Sequence, residues 1–320
     1  MRLPLTVPLP ICNDFQFDLP DLGNQCPLTG QTGMVLRRRE AAELARSYEI
    51  YSRMPLPKHL QSRYFKAQII EYYNPGSGLR WYSPTLLGQS EFYEYLGTFP
   101  GYYSSETWDK KRTVEILKTL RPQSFVDLGC GDGLLLKLAA EGGLNGFGLD
   151  INQKAVAAGT DAGLRLYLDN GQSVPEPQPD VLVTLQTIEH VLDPVIWLRT
   201  RLERFRPRYV IVAVPCHDTM LGISSDPLVW PPHHATLWSG RALAVLAERL
   251  KHKILKVEYE PNTWGRFNSV LEREPDRRKL DRLPSFPSGR IGHTLFRALK
   301  KLKIEWTEHA HSALALMERI

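Results

Sequence analysis

The chain has 320 residues, 42% of them apolar and 23% charged, with a net charge of +5. That length buries a large core, either one α/β domain or one domain plus an appendage, and the composition is that of an ordinary soluble protein. No apolar run reaches the roughly 18 residues of a membrane span. The prolines of "MRLPLTVPLPICNDF" break any signal-peptide core, and Cys12, Cys26, Cys130 and Cys216 form no disulfide framework, so a reducing cytoplasm is the expected compartment. The positive surplus sits after residue 260, where 12 Lys and Arg face 7 Asp and Glu. A chain-wide nucleic-acid footprint is therefore not expected.

In chain order, the first hundred residues are rich in Tyr, Pro and Gly and show no traceable strand–helix alternation. A helix is expected over Arg37–Tyr51, and "FKAQIIEYYN" reads as a strand running into a turn at "NPGSG". From Glu106 the pattern is regular. "ETWDKKRTVEILKTL" has helical spacing, "SFVDLG" is a buried strand, and "LLLKLAAEGG" is a helix stopped by glycines. "GFGLDI", "LRLYLDN", "DVLVTL" and "YVIVAVP" continue the strands, with helices at Gln153–Ala162 and "PVIWLRTRLERF" between them. A helix at "GRALAVLAERL", a strand at "KILKVEYEP", a helix near "GHTLFRALKKL" and an apolar strand "HSALALMERI" close the chain. Such alternation predicts a mostly parallel sheet with helices on both faces.

The stretch "VDLGCGDG", Val126–Gly133, places three glycines at every second position between a strand and a helix. A dinucleotide loop has G-x-G-x-x-G, but Leu134 stands where its last glycine belongs. Asp127 just before the loop opposes a pyrophosphate and suits a ligand with an ammonium group. Asp150, ending the next strand, suits a pair of ribose hydroxyls. S-adenosylmethionine carries both features.

Together, this loop, "GFGLDIN", "DVLVTLQTIEHVLDP" and "YVIVAVP" resemble the class I S-adenosylmethionine-dependent methyltransferases, in the group with a Glu-His pair after the fourth strand. The resemblance covers roughly Glu106 to Glu260 and the last strand. It implies a Rossmann-like sheet of seven strands, mostly parallel, with the last strand antiparallel and a small irregular N-terminal region. It implies that Asp127, Gly129, Cys130 and Gly131 hold the methionine end and Asp150 and Ile151 the ribose. Asp169 and Asn170 would face the adenine, and Gln186 would close over the cofactor. The expected organisation is an N-terminal region over 1–105 and a methyltransferase domain over 106–320 with a basic insertion at 261–310.

Methyl transfer is an in-line displacement at a sulfonium methyl, and a hydroxyl acceptor also needs a base. Histidine suits that task. His190 of the Glu189-His190 pair is one candidate, although tying the loop to its neighbours is the preferred role because relatives with different acceptors share the pair. "WPPHHATLW", Trp230–Trp238, offers His233 or His234 as base and Trp230 as a surface for the acceptor, against the plainer reading of a capped loop with a buried histidine. His217 is a weaker candidate. A metal-assisted alternative would use Glu189, His190 and Asp193, but no metal site is expected.

"CPLTG" and "NPGSGL" resemble two halves of a zinc ribbon found ahead of methyltransferase domains in sugar and surface-polysaccharide pathways. Of four ribbon cysteines only Cys26 remains, with Thr29, Asn74 and Ser77 in the other places, so this region is expected to be metal-free. The amphipathic basic stretch at 291–303 reads as a core-packing helix or, second, as a peripheral contact with an anionic membrane. The expected activity is methylation of a small molecule or sugar acceptor at oxygen. The rivals are a protein or nucleic-acid methyltransferase, disfavoured by the lack of an "NPPY"-type motif, and a cofactor-binding partner subunit without activity.

Overall fold

The apolar runs of the second half become the strands of one sheet. The computed structural model describes residues 21–99, 102, 106–172, 174, 176–219, 226–261 and 309–320. In chain order the elements are β1 (Met34–Arg39), α1 (Ala41–Ser52), α2 (Lys58–Tyr64), β2 (Ile69–Asn74), β3 (Leu79–Ser83), α3 (Ser90–Leu96), α4 (Trp108–Leu120), β4 (Phe125–Leu128) and α5 (Leu134–Glu141). They continue with β5 (Gly146–Asp150), α6 (Gln153–Asp161), β6 (Leu166–Leu168), β7 (Val181–Leu185), α7 (Pro194–Phe205) and β8 (Tyr209–Pro215). The last are β9 (Thr236–Leu237), α8 (Gly240–Arg249), β10 (His252–Pro261) and β11 (His309–Arg319).

Seven strands form the main sheet in the order β10-β11-β8-β7-β4-β5-β6. β4, β5, β6, β7 and β8 pair in parallel, and β11 lies antiparallel between β10 and β8. Every residue of β4 and β7 is buried, as expected for strands covered on both faces. Local chemistry starts the covering helices. Asn152 caps α6 by accepting from Lys154 N and Ala155 N, and Asp193 caps α7 by accepting from Ile196 N ahead of Pro194. From β4 the chain steps to β5 and β6 on one side, then returns to β7 and β8 on the other. Strand order therefore reverses between β4 and β7, and a crevice opens there at their carboxyl ends.

The N-terminal region is more regular than the sequence suggested. A four-stranded antiparallel sheet runs β1-β2-β3-β9. Its last strand comes from residues 236–237, so this sheet is completed by the second half of the chain. The expected helix over Arg37–Tyr51 is a strand as far as Arg39 and a helix only from Ala41. The arginines decide this: Arg37 and Arg80 ion-pair across the sheet with Glu71, whose side chain is fully buried. The turns of the ribbon-like stretches meet, with Cys26 Sγ 3.3 Å from Ser77 Oγ in a buried hydrogen bond. The three described cysteines are free and buried. No helix among the described residues is long and apolar enough to cross a membrane. The basic stretch at 291–303, and most of the 261–310 insertion, lie outside the described residues.

Candidate active site

The loop after β4 and the loop after β7 face each other across the crevice. Gly129, Gly131 and Gly133 all have positive φ, at +78°, +57° and +86°. They do different jobs. A Cβ on Gly129 would stand 2.3 Å from Thr187 Oγ1, and one on Gly133 would stand 2.6 Å from Leu164 Cδ1. A Cβ on Gly131 would meet nothing within 4 Å, so this is where a ligand can come close to the backbone. The N–H groups of Gly129 and Cys130 donate to Leu149 O, and that of Gly131 donates to Asp150 Oδ2 at 2.8 Å. Those amides shape the loop rather than remaining free for a carboxylate. The Cys130 thiol is turned into the core, where a Cβ on Gly148 would lie 2.6 Å from its sulfur.

Asp127 is 3% exposed, and among the described residues its carboxylate accepts no hydrogen bond. Burial pushes its pKa up to about 7; nearby Lys110 opposes this, and Asp150 and Asp109 add to it. A buried carboxylate without a partner is costly, and a ligand's ammonium would answer it. Asp150 accepts from Gly131 N through one oxygen and from Asn152 N through the other, both at 2.8 Å. Burial raises its pKa against the pull of those two amides. Each oxygen keeps a lone pair for a ligand hydroxyl. Beside it Ile151 is 44% exposed, an apolar surface at the crevice mouth.

Asp169 is engaged otherwise, in an ion pair with Arg201 at 2.6 Å. The Asn170 side chain accepts from Gln172 N. Gln186 has φ +52° and donates through Nε2 to Asp109 Oδ2 and Ser312 Oγ, both at 3.1 Å. A non-glycine residue in this conformation is uncommon and is held here on both sides by the strands.

The three candidate histidines come together. His190 ends a short 3-10 turn, Ile188–His190, directly after Thr187. His233 and His234 follow another, Pro227–Val229. A ligand nitrogen from each lies within 4.8 Å of the others. Ring centroids are 4.9 Å apart for His190 with His233, 4.9 Å for His190 with His234, and 4.6 Å for His233 with His234. The backbone fixes the arrangement: Ala235 N donates to Glu189 O and Gly88 N donates to Pro232 O.

The tautomers follow from the carbonyl partners. His190 Nδ1–H donates to His233 O at 2.5 Å, and His233 Nδ1–H donates to Leu228 O at 2.7 Å. Each therefore presents Nε2 as a lone pair when neutral. Burial lowers the pKa of all three, that of His190 to about 4, with the neighbouring histidines adding to the effect on His233 and His234. They are neutral at pH 7. The His190 side chain keeps 23% exposure, so the cluster is open on one side. Glu189 is fully buried, and burial raises its pKa to about 8.

Other expected residues fall elsewhere. Trp230 is fully buried, stacked on Tyr82 and covered by the guanidinium groups of Arg37 and Arg39, so it offers no surface to an acceptor. His217 Nε2 donates to Gly78 O in the N-terminal region. Asp193 is spent as the cap of α7, which removes it from the Glu189, His190, Asp193 alternative. Sequence reasoning missed Tyr93 and Tyr102. Tyr93 Oη is 3.2 Å from His190 Nδ1, and the Tyr102 hydroxyl donates to His233 Nε2 at 2.7 Å. The only signal was the aromatic run around residues 91–108, which does not show which rings turn inward. Asp109, the partner of Gln186, carried no signal.

Residues 102–257 match the model of a family described as a methyltransferase domain. The loop after β4 suits S-adenosylmethionine as cofactor: among the described residues the buried Asp127 carboxylate accepts no hydrogen bond, and Gly131 leaves room for a ligand. No curated protein matches the chain. Among solved structures it is similar to a SAM-dependent methyltransferase from Archaeoglobus fulgidus, at 16% identity over 66% of this chain and 94% of that one, with a TM-score of 0.43. It is similar also to the methyltransferase domain of the bacterial CtHen1-C, at 15% identity over 66% and 96%, with a TM-score of 0.42. The YcgJ protein from Bacillus subtilis is similar at 11% identity over 66% and 97%, with a TM-score of 0.42.

Proposed function

We propose that the chain methylates an oxygen of a small-molecule or sugar acceptor, and that the acceptor's proton is lost at the histidine cluster. The observation that carries this reading is the convergence of His190, His233 and His234 from two distant segments at one crevice. S-adenosylmethionine supplies the electrophilic methyl and the leaving group. The chain's part is alignment and proton handling. Asp127 would hold the ammonium, Asp150 the ribose and Ile151 the apolar face of the nucleoside. Thr187 packs on Gly129, so the histidine turn begins where the cofactor loop ends. The imidazoles of His190 and His234 are neutral near pH 7, so a ring lone pair can accept the proton of an acceptor hydroxyl as the methyl is transferred. The N-terminal sheet would act as the acceptor's cover, because β9 leads straight out of the His233–Ala235 segment and pairs with β3.

A screen of acceptors with methyl-labelled cofactor tests this. Label should appear in hydroxylated small molecules or sugars. His190→Ala, His233→Ala or His234→Ala should lower turnover at least about a hundredfold while cofactor affinity stays within about twofold. Label found in protein or nucleic acid, or full turnover in all three variants, would contradict the proposal. A chain that binds cofactor and labels nothing would instead be a partner subunit.

A further inference from the structure

A single general base needs one imidazole, and this cluster brings three together. We propose that His190, His233 and His234 form a binding site for one divalent transition-metal ion of the zinc type. Two of the rings are already held as metal ligands usually are. His190 and His233 each donate Nδ1–H to a backbone carbonyl, which fixes the ring and directs the Nε2 lone pair away from it. His234 Nδ1 is buried and, among the described residues, has no hydrogen-bond partner. Glu189 supplies the second observation. Among the described residues neither of its buried carboxyl oxygens has a hydrogen-bond partner, and Oε1 stands 3.9 Å from His190 Nε2. A divalent ion among the three nitrogens would satisfy the lone pairs and the carboxylate together.

The geometry requires a small closure. Zinc–nitrogen bonds of about 2.0–2.1 Å in a tetrahedron set the nitrogens about 3.4 Å apart. The three nitrogens lie within 4.8 Å of one another, so the rings move together by up to about 1.5 Å. The Tyr102 hydroxyl must also release His233 Nε2, to which it now donates. Three imidazoles select zinc, cobalt, nickel or copper over magnesium or calcium, and three protein ligands leave a fourth position open. One consequence rests on the proposed oxygen methylation. With an ion in place, an acceptor hydroxyl at the fourth position is acidified by the ion, and the proton is no longer taken by an imidazole.

The test uses the full chain without an affinity tag, stripped with a chelator and titrated by calorimetry with Zn2+ alone. Co2+ binding is followed by its visible ligand-field absorption, and Mg2+ serves as the comparison. The site should take one Zn2+ per chain with Kd below about 10 μM and discriminate against Mg2+ by at least about a hundredfold. His234→Ala should weaken Zn2+ at least about a hundredfold, whereas Tyr102→Phe, freed of the competing hydrogen bond, should bind at least as tightly as the parent. Thermal unfolding checks that each variant is folded, and His190→Gln replaces His234→Ala if the latter is not. Zn2+ binding weaker than about 10 μM, equal binding of Mg2+, or unchanged affinity in the folded histidine variants would overturn the proposal. Zn2+ binding without methylation would sink the oxygen-methylation reading and leave the site standing. Methylation by a chain that binds no Zn2+ would do the reverse.

Discussion

Asp127 ties the chemistry of the site to pH. Its carboxyl has an ordinary value near 3.9 in an unfolded chain and about 7 in the fold. Between those values the folded chain holds a proton that the unfolded chain has lost. The stability this contributes is complete below the lower value and is lost as pH rises through the upper one. Cofactor binding runs the other way, since an ammonium needs the ionised carboxylate. Affinity for S-adenosylmethionine should rise about tenfold between pH 5.5 and 6.5 and flatten above pH 7, and Asp127→Asn should remove that slope as well as weaken binding. Calorimetric titrations at several pH values check this; an equal slope in the variant would assign the proton elsewhere. The sequence places Asp127 and Asp150 beside the glycine loop, and the structure buries both carboxyl groups there. The partners of Asp169 and Trp230, Arg201 and the pair Arg37 and Arg39, come from distant segments that no local pattern announces.

At the scale of elements, the loop from Gly129 to Gly133 separates shape from function. Gly131→Ala costs the fold only the backbone penalty of a left-handed residue, about 1–2 kcal/mol, because its Cβ meets nothing. It should weaken S-adenosylmethionine at least about tenfold by entering the crevice. Gly133→Ala adds a clash with Leu164 and should cost about 2–4 kcal/mol of stability. Urea unfolding and cofactor titration of both variants test the contrast, and equal losses in both would refute it. Most strands and helices of residues 106–261 were legible because they are buried apolar runs, as in β4, β7 and β8, or amphipathic stretches, some with a side-chain cap as at Asn152 and Asp193. The N-terminal strands were not, because β1 is an edge strand carrying arginines and β9 has only two residues. The pairing of β3 with β9 spans more than 150 residues and leaves no local trace.

On the scale of the whole molecule, β11 joins the end of the chain to its middle. Seven residues, Ser312–Glu318, pair with β8, and Ala313, Leu314, Ala315 and Met317 are buried. Ending the chain at residue 308 strips the inner faces of both β8 and β10. Each large apolar side chain lost removes about 1.5–3 kcal/mol of burial from a total margin of about 5–15 kcal/mol. Such a chain should show no cooperative thermal unfolding, and a sharp transition near that of the parent would contradict the topology's importance. The same topology gathers Asp109, Asp127 and Asp150, so the site suits a cationic ligand even though the whole chain is basic. The most direct test of the central claim is therefore calorimetric titration of the full chain with S-adenosylmethionine. One site per chain is expected, with Kd in the range of about 1–100 μM, weakened at least about tenfold by Asp150→Ala. No heat and no thermal stabilisation at about 1 mM ligand, or unchanged affinity in that variant, would contradict the account.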